Sequence, residues 1–121
     1  MSDLQSIAER VRMAYESREL SLLGEVLADD VRWGGGDEDA EDTCHTRTDV
    51  LNTYGALVAS GIEAEVTEVT VRDARVIVGL EVIPPEGERH PLFQAFSVRD
   101  GKVVDIRGYP TRAEALAGEY V

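Results

Sequence analysis

The chain has 121 residues, 43% of them hydrophobic and 30% charged, a balance that suits one folded domain spanning 1–121 and argues against a disordered chain. Its formal charge of −12 speaks against nucleic acid and anionic membranes as partners, because both need a basic surface. One cysteine cannot form an internal disulfide, no apolar run reaches the roughly 18 residues of a membrane span, and the acidic start MSDLQSIAER is unlike a secretory signal, so a cytoplasmic location is expected.

Ser2 is placed to cap a first helix, with Gln5 three residues on. Leu4, Ile7, Ala8, Val11, Ala14 and Tyr15 then recur at helical spacing. A short second helix carries Leu20, Leu23, Val26 and Leu27, and LADDVRW opens a strand with Val31 and Trp33 facing one way. After a connection, Thr46 or Thr48 caps a third helix with a stripe of Val50, Leu51, Tyr54, Leu57 and Val58, and Gly61 stands where a C-terminal glycine belongs. From Ile62 the period changes to two. The apolar positions slip between Val66 and Val69, which predicts a β-bulge at Thr67–Glu68. A turn at Asp73–Ala74 leads to a strand with Val76, Val78, Leu80 and Val82 on one face. Pro84 to Pro91 reads as a loop, since proline cannot serve a ladder. LFQAFSVRDGKVVDIRGY forms a hairpin about Asp100–Gly101. Thr111 caps a last short helix ending at Ala117, before Gly118. Helices followed by an uninterrupted run of strands indicate an α+β fold rather than alternating βαβ units.

The connection RWGGGDEDAEDTCHTR, residues 32–47, concentrates the residue types that carry chemistry. Cys44 and His45 are neighbours, so in extended backbone they point to opposite sides and make a poor nucleophile–base pair. Asp37, Glu38, Asp39, Glu41 and Asp42 lack the alternating oxygen frame and set glycine of a calcium loop. Gly34, Gly35 and Gly36 precede no helix directly, and the acids around them would repel phosphate. No metal site and no cofactor are therefore expected. His45 alone remains an acid–base candidate, with Tyr15, Tyr54, Trp33 or Asp30 as companions.

AYESRELSLLGEVLADDVRW, CHTRTDVLNTYGAL and FSVRDGKVVDIRGYPTRAEAL resemble, in order and spacing, the start, middle and end of the nuclear-transport-factor-2-like superfamily, its SnoaL-like (polyketide-cyclase-like) branch above all. The resemblance implies a conical α+β barrel of cystatin-like topology. In it a curved, mostly antiparallel sheet wraps around three helices, with a pocket at the wide end and a homodimer through the outer sheet face. The superfamily hosts isomerases, cyclases, hydrolases, dehydratases and non-catalytic domains, so fold leaves function open.

Alignment to steroid isomerases of this fold puts their tyrosine and two aspartates near Val11, Gly35 and Gln94. Alignment to epoxide hydrolases puts their polar groups near Leu80, Val82 and Gly108. Of these positions only Gln94 could donate to an oxyanion. The inward faces then read Val78/Leu80/Val82, Leu92/Gln94/Phe96/Val98 and Val104/Ile106/Gly108, with Glu81 and Arg107 expected as an ion pair on the outer sheet face or at a dimer interface. The expected pocket is Tyr15, Trp33, Tyr54, Val78, Leu80, Val82, Gln94, Phe96 and Ile106, an apolar wall suited to an organic small molecule. The alternative is an isomerase, cyclase or dehydratase acting on a polyketide-like or terpenoid-like substrate. There His45 would serve as acid–base, Tyr54 or Tyr15 as hydrogen-bond donor and Gln94 as oxyanion donor. A third possibility is a non-catalytic protein-interaction domain.

Overall fold

The computed structural model describes residues 3–35 and 45–117. Ser2, Gly118, Gly36, the acids at 37–42 and Cys44, singled out above, lie outside those residues. The elements are α1 (Asp3–Ser17), α2 (Leu20–Gly24), β1 (Leu27–Gly35), α3 (Arg47–Ala59), β2 (Glu63–Arg72), β3 (Arg75–Ile83), β4 (His90–Arg99), β5 (Lys102–Tyr109) and α4 (Arg112–Ala117). One five-stranded sheet runs in the order β1-β5-β4-β3-β2. It is antiparallel except where β1 pairs parallel with β5. No helix among the described residues is long and apolar enough to cross a membrane.

One face of the sheet packs on the N-terminal helices. The stripe of α1 buries Ile7, Ala8, Val11 and Ala14 against Val76, Val78, Phe96 and Ile106 of the sheet, with Leu23, Val31 and Val50 in the same cluster. Each of the larger side chains contributes roughly 1.5–3 kcal/mol when fully removed from water, which is why the helical and alternating patterns are satisfied together. Helix α3 is capped by Thr46, whose side chain accepts from the Asp49 backbone N–H at 3.1 Å. It stops before Gly61, whose φ of 91° favours a residue without Cβ.

Turns and bulges set the register. Asp73 (φ 55°) turns β2 into β3, and Asp100 and Gly101 (φ 54° and 76°) turn β4 into β5 with the left-handed backbone that tight hairpins require. The bulge in β2 falls at the anticipated place: Val66 pairs Leu80 and Glu68 pairs Gly79, so Thr67 is the extra residue. A second bulge was not anticipated. Val103 pairs Val98 while Asp105 pairs Ser97, so Val104 is extra and Val103, not Val104, enters the core. Strand β4 also begins earlier than a proline-based boundary allows. Pro91 sits within it opposite Glu81, at the second residue of the strand, where a missing N–H costs little.

Gly79 makes the first bulge possible. A Cβ there would lie 2.8 Å from Glu68 Cγ and 3.0 Å from both Phe93 Cε1 and Thr67 Oγ1. Two residues of β2 crowd opposite this single position, and Glu68 is held by Arg112 at 3.0 Å. Gly79→Ala should therefore destabilise the fold by about 1–3 kcal/mol, the usual cost of overpacking. Urea denaturation checks it, and an unchanged midpoint would show that the bulge relaxes freely.

The opposite face is partly covered by α4. Ala115 and Leu116 pack on Ile77, Ala95, Phe93 and Tyr109. Arg75 clamps this helix by donating to the carbonyls of Ala115 (3.0 Å) and Leu116 (2.8 Å), two acceptors that a helix end leaves unpaired. Arg107 does not pair with Glu81. Its guanidinium holds Asp105, 1% exposed, at 3.1 Å, because residues two apart on a strand share a face.

Candidate functional site

The inner sheet face and the helices do not close completely at one end. A cavity of about 250 Å³ remains there. Alternation along β3 and β4 delivers Leu80 and Val82, then His90, Leu92 and Gln94, to one wall. Helix α1 contributes Ala14 and Tyr15 near its C-terminal end, with Arg18 just after it, and β1 contributes Trp33. From α3 come Tyr54, Leu57 and Val58. Leu57 and Val58 are each 37% exposed although they belong to the apolar stripe, because that stripe runs out over the cavity rather than over the core.

The polar groups gather at the buried end. Gln94, 4% exposed, presents Oε1 as acceptor to the hydroxyls of Tyr15 and Tyr54, the latter at 2.9 Å, and the two hydroxyl oxygens are also in mutual contact, so their two protons are distributed over three contacts. The indole of Trp33 stacks on Tyr54 with centroids 4.7 Å apart and planes 14° from parallel. Tyr15 meets Tyr54 edge-on at 5.5 Å, an arrangement that fixes both phenols. Burial pushes the Tyr54 phenol far above the ordinary tyrosine range, against a smaller opposing pull from its bond to Gln94. The Tyr54 phenol is thus a neutral hydrogen-bond donor at physiological pH.

A titration tests this environment. The unfolded chain ionises tyrosine near pH 10, to within about a unit, and the folded state holds Tyr54 protonated to higher pH. The resulting stabilisation is complete below the unfolded value and is lost as pH rises through the folded one. Tyrosinate absorbance should reveal a late-titrating member among the four tyrosines, missing in Tyr54→Phe. A single shared transition near pH 10 in folded protein would contradict it.

Residues 8–106 match the family model of the SnoaL-like domain. The chain belongs to the SnoaL-like domain family. Among solved structures, an NTF2-like protein of unknown function from Mesorhizobium loti superposes with TM-score 0.76 at 17% identity, over 90% of this chain and 91% of that one. A candidate ketosteroid isomerase from Kribbella flavida gives 0.75 at 18%, covering 98% and 90%. A candidate polyketide cyclase from Sinorhizobium meliloti gives 0.68 at 18%, covering 90% and 100%. At these identities the likeness is one of fold. No curated protein matches the sequence.

Within this SnoaL-like chain, Tyr15, Trp33, Tyr54, Leu80, Val82 and Gln94 come together around the cavity. Val78, Phe96 and Ile106 do not line it. They are fully buried in the core behind its wall, because the helices press on that end of the sheet. His45 is exposed just before α3, is absent from the cavity lining, and its backbone N–H approaches Asp49 Oδ2 at 3.5 Å. The histidine on the cavity is His90. The period of two through His90, Leu92, Gln94 and Phe96 marks it in the sequence, but Pro84, Pro85 and Pro91 around it mask the start of the strand. Among the described residues no group of three or more His, Cys, Asp or Glu side chains is arranged to hold a metal.

Proposed function

We propose that this SnoaL-like protein binds a flat, mostly apolar organic molecule carrying one oxygen acceptor, such as a ketone on a fused ring. The observation that carries the reading is the pair of phenols on Gln94 at the buried end of an otherwise apolar cavity. Aliphatic and indole surfaces favour a ring system, while a few convergent donors fix its orientation. The volume of about 250 Å³ suits two fused rings better than a long chain. Trp33 is the only tryptophan and stands in the wall, so its fluorescence reports occupancy. A series of bicyclic aromatic ketones should quench it and raise the melting midpoint by mass action. A series that does neither removes this reading. A homodimer through the part of the outer sheet face left free by α4, and a cytoplasmic location, belong to the same proposal. Sedimentation across concentration tests the dimer.

A second reading is acid–base catalysis on a polyketide-like or terpenoid-like ketone, by isomerisation, cyclisation or dehydration. It draws support from His90, a titratable group on the same cavity as the two phenols. A base must come within about 3 Å of the proton it removes, and the exposed His45 is poorly placed for that. Under this reading the phenols stabilise an enolate while His90 moves the proton. Ketone–enol turnover would fall at least about a hundredfold in His90→Gln, the usual worth of a general base, and stay unchanged in His45→Ala. Equal losses in both would remove it.

A further inference from the structure

Resting on the ligand-binding reading, we propose that the cavity selects an organic anion, its carboxylate held at the mouth by Arg18 with His90 beside the opening, and its ketone oxygen held at the buried end by Tyr15 and Tyr54.

The lining is graded by depth. Leu23, Leu80 and Gln94 are buried, whereas Arg18, Leu57, Val58 and His90 are exposed and form the rim. Both basic lining residues sit on that rim. The chain carries 24 acidic residues against 12 lysines and arginines, yet no carboxylate is among the described residues that line this cavity. Among the described lining residues the one formal charge is therefore that of Arg18, which Glu63 meets from just outside the lining. In a cleft with apolar walls, a guanidinium with donors to spare and no carboxylate in the lining favours an anionic ligand group.

Arg18 is also held in an uncommon conformation. It follows the last residue of α1 with φ of 62°, which a residue with a Cβ seldom adopts. The residue joins α1 to α2, and its guanidinium both lines the cavity and meets Glu63, the first residue of β2. Glu63 engages one terminal nitrogen. A guanidinium has five N–H donors in a planar fork, so one carboxylate does not exhaust it. A ligand carboxylate entering from the rim would share Arg18 with Glu63 and keep its ring against Trp33.

The matched probes are 6-acetyl-2-naphthoic acid and its methyl ester, titrated against Trp33 fluorescence with melting curves in parallel. The acid should bind about tenfold more tightly than the ester, the scale of one charge-assisted pair. Arg18→Gln should erase that advantage and leave the ester within about twofold. Glu63→Gln removes the competing carboxylate from an exposed position, so it tests the same contact even where Arg18→Gln folds poorly. It should tighten the acid severalfold and leave the ester alone. Equal affinity of acid and ester, or a Glu63→Gln variant that shifts both alike, overturns the selection at the mouth while the pocket reading stands. Failure of both probes to quench Trp33 or raise the midpoint takes the pocket reading down with it.

Discussion

Phe96→Ala should lower the stability of the fold by about 3–5 kcal/mol, the observed range for removing a buried phenyl ring. Phe96 has no exposed surface and lies on the inner face of β4. In register it stands between Val76 of β3 and Ile106 of β5, both fully buried. Its ring also meets Tyr15 edge-on at a centroid distance of 6.5 Å. These neighbours belong to two paired strands and a packed helix, so they cannot move in to fill the space without breaking ladders, and most of the cavity would persist. Domains of this kind retain only about 5–15 kcal/mol in total, so the variant should sit near the edge of folding. Urea midpoints with an unchanged slope are the measurement. A loss below about 1 kcal/mol would mean that the core collapses around the missing ring and is far more plastic than its packing implies.

The second large effect is a failure of additivity at the buried end of the cavity. Tyr15→Phe and Tyr54→Phe each remove one hydroxyl, but Gln94 Oε1 keeps a donor from the other. Each single change should therefore cost only about 0.5–1.5 kcal/mol, the net worth of one hydrogen bond. The double variant leaves a 4% exposed amide with neither phenol. Rotating the amide would only place its NH₂ group there without an acceptor. A further penalty of about 1–3 kcal/mol for an unsatisfied buried group is then expected beyond the sum of the singles. A double-mutant cycle read by urea melting gives that coupling directly. A coupling near zero would mean that water enters and replaces both hydroxyls, and the buried end of the cavity would be wet rather than closed.

What could be read from the sequence was what depends on neighbours along the chain. Asp100–Gly101 announces a hairpin because the turn conformation needs those residue types locally. The slip from Val66 to Val69 announces the first bulge because a phase change in a period of two has no other cheap explanation. The second bulge gave no such sign. Val103 and Val104 are identical residues, and only pairing with Val98 decides which turns inward. The site was legible in part for the same reason. Tyr15, Tyr54 and Gln94 each lie on an apolar stripe, yet their convergence is a tertiary fact. His45 drew attention through an acidic, glycine-rich neighbourhood, while His90 was hidden by two prolines before it and one after it. Depth was also invisible. Val78, Phe96 and Ile106 share a face with cavity residues, but alternation reports which side of a sheet a residue occupies and not how far along it the helices reach.

The parallel pairing of β1 with β5 bears on how the molecule is made. Every other ladder joins strands adjacent in sequence, whereas Leu27 meets Val103 and Trp33 meets Ile106. Closing so long a loop carries an entropic cost before any contact rewards it. During synthesis the ribosome must deliver β5 before β1 can be seated in the sheet, and Trp33 has no fixed place until then. The four-stranded meander β2–β5 can zip up by local hairpins, whereas the cavity wall that Trp33 supplies waits on the pairing of β1 with β5.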